Sequence, residues 1–341
     1  MNWLTPLYPI IKDYLLAQIP PQWTQLYQLT DSWFQTEIIP EIIPVVAACK
    51  AVGGDPNQTI PLCAALLASA ISIRILDDLQ DQDKPNALHH VIGSASALNY
   101  ADTFKTLAFK IIGDLSLKNK ADGSPLYQAF IDGYFTLLAG QERDIQGMSR
   151  TWEDCWQTIE MKTGYSYAMA TALGAMIGTN HQEWIQICKI YGYHLGLAIQ
   201  IFNDLEGIWQ PVGKSDLHRG KITLPLLYGL ECSHPDREEL LSIIEDHQII
   251  VKSQRIKEIL DKIEAKNYLI WMALQHRDCA LQIIKVFPDE EGKKALEYRF
   301  TAMYGDLDQL LEPKEESELL KIENNTYQSM GLNLRNQLRQ S

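Results

Sequence analysis

The sequence of 341 residues predicts an all-α fold. Apolar residues recur three or four positions apart in many segments, which is the spacing of one face of a helix. No segment shows the clean alternation of apolar and polar residues that is typical of a half-buried strand. Residues 60–81 are almost continuously apolar or small, which predicts a central helix buried on all sides.

Prolines, glycines and polar loops divide the chain into helical segments. Residues 1–36 contain four prolines and predict one or two irregular helices. Further helices are predicted at residues 37–52, 60–81, 88–115, 126–147, 151–178 and 181–207. A loop is predicted at residues 208–221, and a helix then opens at Thr223 with Pro225 in its first turn. Three or four amphipathic helices are predicted to follow.

The composition, 46% apolar and 21% charged, is ordinary for a soluble globular protein. We expect one helical domain over residues 1–311 and a weakly held polar tail over residues 312–341. The formal net charge of −13 argues against nucleic acid or an anionic membrane surface as a partner.

The segments that direct a chain to other compartments are not predicted. The N-terminus lacks the basic region and small-residue cleavage site of a signal peptide, and no run of about 18 apolar residues predicts a membrane span. The six cysteines show neither CxxC spacing nor a cluster with histidines, so we expect buried thiols in a reducing compartment. A cytoplasmic location follows as an expectation.

An acidic cluster ends the predicted central helix, in the sequence ISIRILDDLQDQD at residues 71–83. Asp77 and Asp81 are spaced i and i+4, which puts their Cβ atoms roughly 5–6 Å apart on one face. Two carboxylates this close beside an apolar run repel each other unless a cation lies between them. Mg²⁺ takes one or two carboxylates and leaves its other positions for water and phosphates. The cluster therefore predicts a magnesium site that receives a diphosphate, and the alternative is a solvated acidic helix end.

A second segment, LAIQIFNDLEG at residues 197–207, echoes ISIRILDDLQD at residues 71–81. In this alignment Asp204 matches Asp78, while Asn203 and Gly207 fall on the positions of Asp77 and Asp81. If the two helices face each other, their polar ends form opposite walls of one mouth. The alternative is a chance similarity between two apolar helices.

Five motifs in order resemble the trans-isoprenyl diphosphate synthase (polyprenyl synthetase) family of class I terpenoid enzymes over about residues 40–300. The motifs are DDLQD at residues 77–81; Gly140, Gln141 and Asp144; Lys162-Thr163; Gln200 with Asn203-Asp204; and Gly213-Lys214 with DLHRGKITLPLL, which contains Lys221 and Pro225. The last string is the most specific of the five.

The resemblance implies a bundle of about a dozen helices around a deep apolar cavity, usually as a homodimer. It also implies about three Mg²⁺ ions that bridge the two acidic motifs and the diphosphate of an allylic prenyl substrate. Ionisation of that substrate would give an allylic cation, which reacts inside the cavity. The modest size of Ser72 and Ile73, before the first motif, suggests a prenyl chain of roughly C15 to C20 or longer.

Site roles follow from the same resemblance. The implied metal ligands are Asp77, Asp78, Asp81, Asn203 and Asp204. The implied diphosphate-binding residues are Gln141, Lys162, Lys214 and Lys221. Thr163 and Gln200 would line the path of the cation. The residues expected to be catalytic are Asp77, Asp81, Lys162, Thr163 and Gln200.

The sequence departs from the family where chain-elongating members bind a second substrate, isopentenyl diphosphate, through basic residues. Residues 34–44 contain no Lys or Arg, residues 1–49 contain only Lys12, and QDKPNALHH after the first motif contains no Arg. We therefore expect a divergent member that ionises one allylic diphosphate. The cation would then be cyclised, eliminated or transferred to an acceptor other than isopentenyl diphosphate. Conventional chain elongation and a non-catalytic subunit of a heteromeric synthase are the alternatives.

Overall fold

The computed structural model describes residues 3–36, 42–81, 87–118, 123–209 and 215–304. Within these ranges the chain contains sixteen α-helices and no strand, so the predicted all-α class is confirmed. The tail predicted at residues 312–341 lies outside the described residues, and the domain boundary at residue 311 stays a prediction.

The helices are numbered in chain order, and most match the predicted segments. They are α1 (Leu7–Leu16), α2 (Thr24–Thr36), α3 (Ile43–Ala51), α4 (Ile60–Asp81), α5 (Leu88–Ile92), α6 (Ser94–Lys118), α7 (Gly123–Ile145), α8 (Trp152–Ile159), α9 (Tyr165–Gly178), α10 (Gln182–Trp209), α11 (Asp216–Arg219), α12 (Leu224–Glu231), α13 (Arg237–Glu245), α14 (Ser253–Lys262), α15 (Ala265–Ile283) and α16 (Glu290–Tyr304).

Helix α4 is the central element that the sequence predicts. It packs against α1 and α6, and its side chains from Leu62 to Ile75 contribute to the largest apolar cluster. Among the described residues one segment, Pro56–Asp81, is long and apolar enough to cross a membrane. Because 61% of its most apolar window is buried inside the protein, this segment is accounted for as a core helix. The cytoplasmic location stays a prediction.

Small residues let α9 and α10 pack closely against their neighbours. A Cβ atom added to Gly174 would clash with the backbone carbonyl of Val45 on α3, and one on Gly192 would clash with Thr171 and the backbone of Tyr167. These contacts hold α9 against α3 and bring its N-terminal end, at Tyr167, beside Gly192 of α10.

Three predicted segments are interrupted in the structure. Gly93 adopts φ +83°, a conformation that L side chains rarely take, and it separates α5 from α6 within the predicted helix at residues 88–115. The helix predicted at residues 151–178 contains a π-helical turn at Glu160–Gly164. The loop predicted at residues 208–221 contains the short helix α11.

The six cysteines are all free thiols. Four of them (Cys49, Cys63, Cys155 and Cys188) are buried as expected, whereas Cys279 is exposed. Burial raises the pKa of Cys49 and of Cys63 to about 12, so these thiols stay protonated and behave as small apolar side chains.

Two buried histidines join α10 to α15. His194 Nδ1 and His276 Nδ1 lie 2.9 Å apart, so one ring donates a hydrogen bond to the other. Burial lowers the pKa of His194 to about 4. Burial and the neighbouring His194 lower the pKa of His276 to about 3. Both rings are therefore neutral in the folded protein at neutral pH.

This pair predicts a loss of stability in mild acid. The folded pKa values lie below the unfolded value of about 6.5, so below that pH the unfolded chain binds protons that the folded pair refuses. The free energy of unfolding should fall by up to about 1.4 kcal/mol per pH unit per histidine between pH 6.5 and 4. Urea unfolding across this range measures the slope. The double variant His194→Gln/His276→Gln should show a shallower slope, and the exposed control His90→Gln should match the parent; equal slopes in all three would contradict the assignment.

Candidate active site

The first acidic motif lies at the C-terminal end of α4, where its carboxylates are half-buried. Asp77 Oδ1 is 3.3 Å from Lys162 Nζ. One turn later, Asp81 Oδ2 is 2.7 Å from Lys221 Nζ. Asp78 lies about 100° farther round the helix than Asp77. The two carboxylates that the i, i+4 spacing singles out thus each meet a lysine from a distant part of the chain.

Helix α7 brings Gly140 and Asp144 to Lys162. A Cβ atom added to Gly140 would lie 2.5 Å from the backbone nitrogen of Lys162, so a glycine is required for this approach. Asp144 Oδ2 is 2.7 Å from Lys162 Nζ, which therefore lies between the carboxylates of Asp77 and Asp144. Burial alone would lower the pKa of Lys162, but the two carboxylates outweigh burial and raise it. Lys162 is held as a cation.

Gln141 supplies an amide beside the first motif and is 7% exposed. Its Nε2 donates to Asp77 Oδ1 at 3.0 Å and to Gln80 Oε1 at 2.9 Å. Its Oε1 is buried and has no hydrogen-bond partner among the described residues. A buried acceptor without a partner costs about 1–3 kcal/mol. Mg²⁺ takes one or two carboxylates and completes its shell with water and phosphates, so the carboxylates of Asp77 and Asp81 with an unpaired oxygen acceptor nearby fit a hard divalent cation.

The π-helical turn Glu160–Gly164 carries Lys162 and Thr163. A π turn inserts one residue into a helix and is frequent at functional sites. Here it directs Lys162 towards α4 and α7, while Thr163 Oγ1 donates to Gln200 Oε1 on α10 at 3.0 Å. The turn therefore connects the first motif to the second.

Asp204 is a buried carboxyl group that joins α10 to α12. Its Oδ1 accepts from Gln200 Nε2 at 2.8 Å, and its Oδ2 accepts from the backbone N–H of Leu224 at 3.2 Å. Burial raises the pKa of Asp204 to about 7, although these two hydrogen bonds act in the opposite direction. Because both oxygens are used within the protein, the geometry favours a structural role for Asp204 over that of an open metal ligand.

The other two positions of the second motif on α10, Asn203 and Gly207, carry no charge. Asn203 is exposed and lies on the same face as Gln200, three residues earlier. At Gly207 an added Cβ atom would clash with the carboxylate of Asp216, which comes from α11. A carboxylate thus stands where the side chain of residue 207 would project, one turn beyond Asn203.

A tight turn after α11 places Lys221. Ser215 caps α11 by accepting the backbone N–H of His218, and Gly220 ends it with φ +70°. The backbone N–H of Lys221 then donates to the carbonyl of Asp216 at 3.0 Å. Burial would lower the pKa of Lys221, but the hydrogen bond and charge of Asp81 outweigh it and raise the pKa. Lys214 lies outside the described residues.

A pocket of about 70 Å³ is lined in part by Lys162. Its polar lining comes from Asp144, Ser149, Thr158, Lys162, Thr163, Gln200, Asp204 and Thr223. In the described parts of the chain, no three Asp, Glu, His or Cys side chains converge as a ready-made metal cage. This agrees with a site in which substrate phosphates and water complete the coordination of Mg²⁺. The deep apolar cavity that the resemblance implies stays a prediction.

Comparison with known proteins tests the resemblance. Residues 43–263 match the sequence model of the family described as polyprenyl synthetase. The chain belongs to the polyprenyl synthetase family. This assignment confirms the resemblance drawn from the five motifs, and it makes the protein an isoprenoid synthase, an enzyme of the prenyltransferase class.

Two relatives within the family differ in what their names say they do. The short chain isoprenyl diphosphate synthase of Methanothermobacter thermautotrophicus is 29% identical over 265 residues, covering 72% of this chain and 79% of the relative. The tryptophan prenyltransferase ComQ of Bacillus subtilis is 27% identical over 232 residues, covering 66% of this chain and 75% of the relative.

Solved structures confirm the fold. The heptaprenyl diphosphate synthase of Staphylococcus aureus superimposes with a TM-score of 0.75 at 19% identity, covering 87% of this chain and 96% of that chain. A polyprenyl synthase of Caulobacter crescentus, solved with calcium and isoprenyl diphosphate, gives a TM-score of 0.74 at 19% identity, covering 87% of this chain and 94% of that chain.

The structure brings most of the expected site residues of this polyprenyl synthetase together. Asp77, Asp81, Lys162 and Lys221 meet in two ion pairs, with Gln141 beside the first. Thr163, Gln200 and Asp204 form a hydrogen-bonded row from the π turn to α12. The chemical roles assigned to these residues, and to Asp78 and Asn203, stay predictions.

The sequence analysis assigns no site role to two carboxylates that the structure places at the site. Asp144 belongs to one of the five motifs, and it makes the shorter of the two carboxylate contacts with Lys162. Asp216 was not singled out, although it is the first acidic residue of DLHRGK. A spacing argument could have found Asp144, because it lies three residues after Gln141 and therefore on the same face of a helix.

The packing of Gly140 on the π turn gives a stability prediction. Gly140→Ala should lower the free energy of unfolding by about 1–3 kcal/mol, because the added methyl group meets backbone atoms that cannot rotate away. Urea unfolding measures this effect. The matched control is Gly113→Ala on α6, where a Cβ atom meets nothing within 4 Å. That change should raise stability by about 0.5–1 kcal/mol. Equal effects of the two substitutions would contradict the packing.

Proposed function

We propose that the protein is a magnesium-dependent prenyltransferase that ionises an allylic prenyl diphosphate and passes the prenyl group to an acceptor. The observation that carries this proposal is the pairing of two carboxylates one turn apart on α4 with two lysines from distant segments. These are the pairs of Asp77 with Lys162 and of Asp81 with Lys221. Membership of the polyprenyl synthetase family supports the same reaction class.

The residues expected to hold Mg²⁺ are Asp77 and Asp81, and the amide of Gln141, which donates to Asp77, lies beside the first of them. When bound, Mg²⁺ supplies the positive charge that stabilises a departing diphosphate. About three ions are part of this proposal, by analogy with the family. Asp78, Asn203 and Asp216 are candidates for further contacts to bound water or metal.

The lysines act on the same leaving group. The carboxylates around Lys162 and Lys221 raise the pKa of both side chains, so they stay protonated despite burial. Donors fixed in advance beside a developing negative charge stabilise the transition state without reorganising. Lys162 and Lys221 are therefore assigned to the diphosphate oxygens. Lys214 is assigned to the same group from its motif alone.

Chain elongation with isopentenyl diphosphate is the first candidate for the transfer step. The named relatives are mostly prenyl diphosphate synthases, including the geranylgeranyl diphosphate synthase of Saccharolobus solfataricus at 26% identity. These names favour elongation over cyclisation, elimination or transfer to another acceptor, which the missing basic residues predict. Cyclisation or elimination has no support among these relatives.

Transfer to an uncharged acceptor is the second candidate. It is favoured by the absence of Lys and Arg from residues 34–44, since a second anionic substrate needs cationic partners on a protein of net charge −13. The relative named as a tryptophan prenyltransferase shows that this family includes such an activity. An indole side chain is the acceptor that this candidate names.

A single assay separates these possibilities. The purified protein is incubated with geranyl, farnesyl or geranylgeranyl diphosphate and Mg²⁺, with or without isopentenyl diphosphate or a tryptophan peptide. Release of diphosphate and the mass of the products are measured. Magnesium-dependent release is expected, with lengthened products when isopentenyl diphosphate is added. No release from any substrate would overturn the proposal. The same products report the accepted chain length, for which roughly C15 to C20 or longer is proposed because Ser72 and Ile73, before the first motif, are of modest size.

Substitution of Asp81 tests its assignment as a ligand of Mg²⁺. Asp81→Asn should lower kcat about 100-fold, because the amide keeps a hydrogen-bonding shape but loses the charge that binds Mg²⁺. The matched control is Asp114→Asn, an exposed aspartate that pairs with Lys110 on the surface of α6. It should leave kcat unchanged. Normal turnover in Asp81→Asn would remove this residue from the proposed metal site.

We also propose that the protein is a homodimer that pairs through α7. Phe135 is 68% exposed and Ile145 is 50% exposed, and Leu138 lies on the same helical face. An exposed apolar stripe of this kind marks a protein–protein contact. Sedimentation should therefore give twice the chain mass of 38.8 kDa.

Phe135→Glu should shift the protein towards the monomer, because a charge would be buried in the paired face. Val286→Glu, at an exposed position on a different element, should leave the mass unchanged. A monomeric parent protein, or a Phe135→Glu variant that stays dimeric, would contradict this interface.

A further inference from the structure

Tyr193 on α10 contacts both ends of the π turn that carries Lys162 and Thr163. Its hydroxyl group donates to Glu160 Oε1 at 2.7 Å, and Glu160 is the first residue of the turn. Its ring lies against Gly164, the last residue, where an added Cβ atom would meet two ring carbons at 3.2 Å. One side chain therefore spans the turn from its first residue to its last.

Lys162 and Thr163, in the middle of the turn, contact other residues of the proposed active site. Lys162 Nζ lies between Asp77 and Asp144, and Thr163 Oγ1 is bonded to Gln200. Glu160 is two residues before Lys162, which on a helix directs its side chain away from the lysine. The pair of Glu160 and Tyr193 is thus well placed to set the path of the backbone without touching the substrate.

The hydrogen bond between Glu160 and Tyr193 is costly to lose. Burial raises the pKa of the Glu160 carboxyl, although the bond from Tyr193 partly opposes this rise. Burial and the neighbouring Glu160 raise the pKa of Tyr193, so its phenol keeps its proton and donates. Without the hydroxyl group, Glu160 would be left as a poorly solvated acceptor.

Backbone packing holds the turn from its other sides. Gly140 of α7 lies against the backbone of Met161 and Lys162. Gly196 of α10 lies against the carbonyl of Thr163, where an added Cβ atom would be 2.6 Å from the oxygen. These contacts limit how far the turn can move. The backbone of Glu160 is hydrogen-bonded along its own helix, where its N–H donates to the carbonyls of Trp156 and Gln157. The side-chain bond to Tyr193 adds a link from this residue to α10.

We propose that Glu160 and Tyr193 are a positioning pair that fixes the π turn and thereby aims Lys162 and Thr163 at the diphosphate. The inference rests on the proposed function for the chemistry that the turn serves. Its structural part, the dependence of the turn on this hydrogen bond, can be measured without any substrate.

The test combines hydrogen–deuterium exchange of the peptide covering residues 156–168 with the kcat and KM of diphosphate release. Tyr193→Phe removes only the hydroxyl group. It should raise exchange within this peptide about tenfold and lower kcat about tenfold, with a smaller change in KM, as expected for one lost hydrogen bond to a charged group. Glu160→Gln keeps an oxygen that accepts from Tyr193, so both readouts should stay within about twofold of the parent.

The exposed Tyr298 on α16 provides a matched control. Tyr298→Phe should match the parent in both measurements. If Tyr193→Phe does not fold, Glu160→Ala replaces it and should show the same local increase in exchange.

Two results would overturn the inference. One is parent-like exchange and kcat in Tyr193→Phe. The other is a loss in Glu160→Gln as large as that in Tyr193→Phe, since the charge and not the hydrogen bond would then matter. Failure of the proposed function looks different, because the parent protein would release no diphosphate while the exchange comparison still reported on the pair.

Discussion

The structure depends on how two carboxylates are neutralised at the end of a buried apolar helix. Asp77 and Asp81 lie one turn apart on α4, and two negative charges at that spacing repel each other unless cations are close. Lys162 and Lys221 meet this requirement from segments that are far away in sequence. Gly140 of α7 and the π turn position Lys162, and the turn after α11 positions Lys221.

The two acidic motifs of the site differ in charge, and the difference has a physical origin. On α4 the carboxylates are half-buried and each is paired with a lysine. On α10 the carboxyl group of the second motif, Asp204, is buried, uses both oxygens within the protein and has its pKa raised to about 7 by burial. Asn203 is neutral, and Asp216 reaches the position of Gly207 from another helix. Near the second motif, the carboxylate at the position of Gly207 is therefore that of Asp216, which does not belong to the motif.

The sequence was sufficient for the elements that obey one strong rule. A long apolar run predicts α4, and i, i+4 spacing picks Asp77 and Asp81 from a cluster of acidic residues. Features that depend on two distant segments could not be found in this way. The π turn has no signature in residue spacing, the contact between Glu160 and Tyr193 joins positions 33 residues apart, and Gly140 is explained only by the backbone that packs on it. The break at Gly93 needed a backbone angle that composition does not reveal.

The most direct test of the central claim is a crystal structure with Mg²⁺ and inorganic diphosphate. The account predicts metal bound to Asp77 and Asp81, with Lys162 Nζ and Lys221 Nζ within hydrogen-bonding distance of diphosphate oxygens. The two lysines would then have exchanged a carboxylate partner for the ligand. Diphosphate bound elsewhere, or bound at this mouth with no metal on either aspartate, would contradict the account.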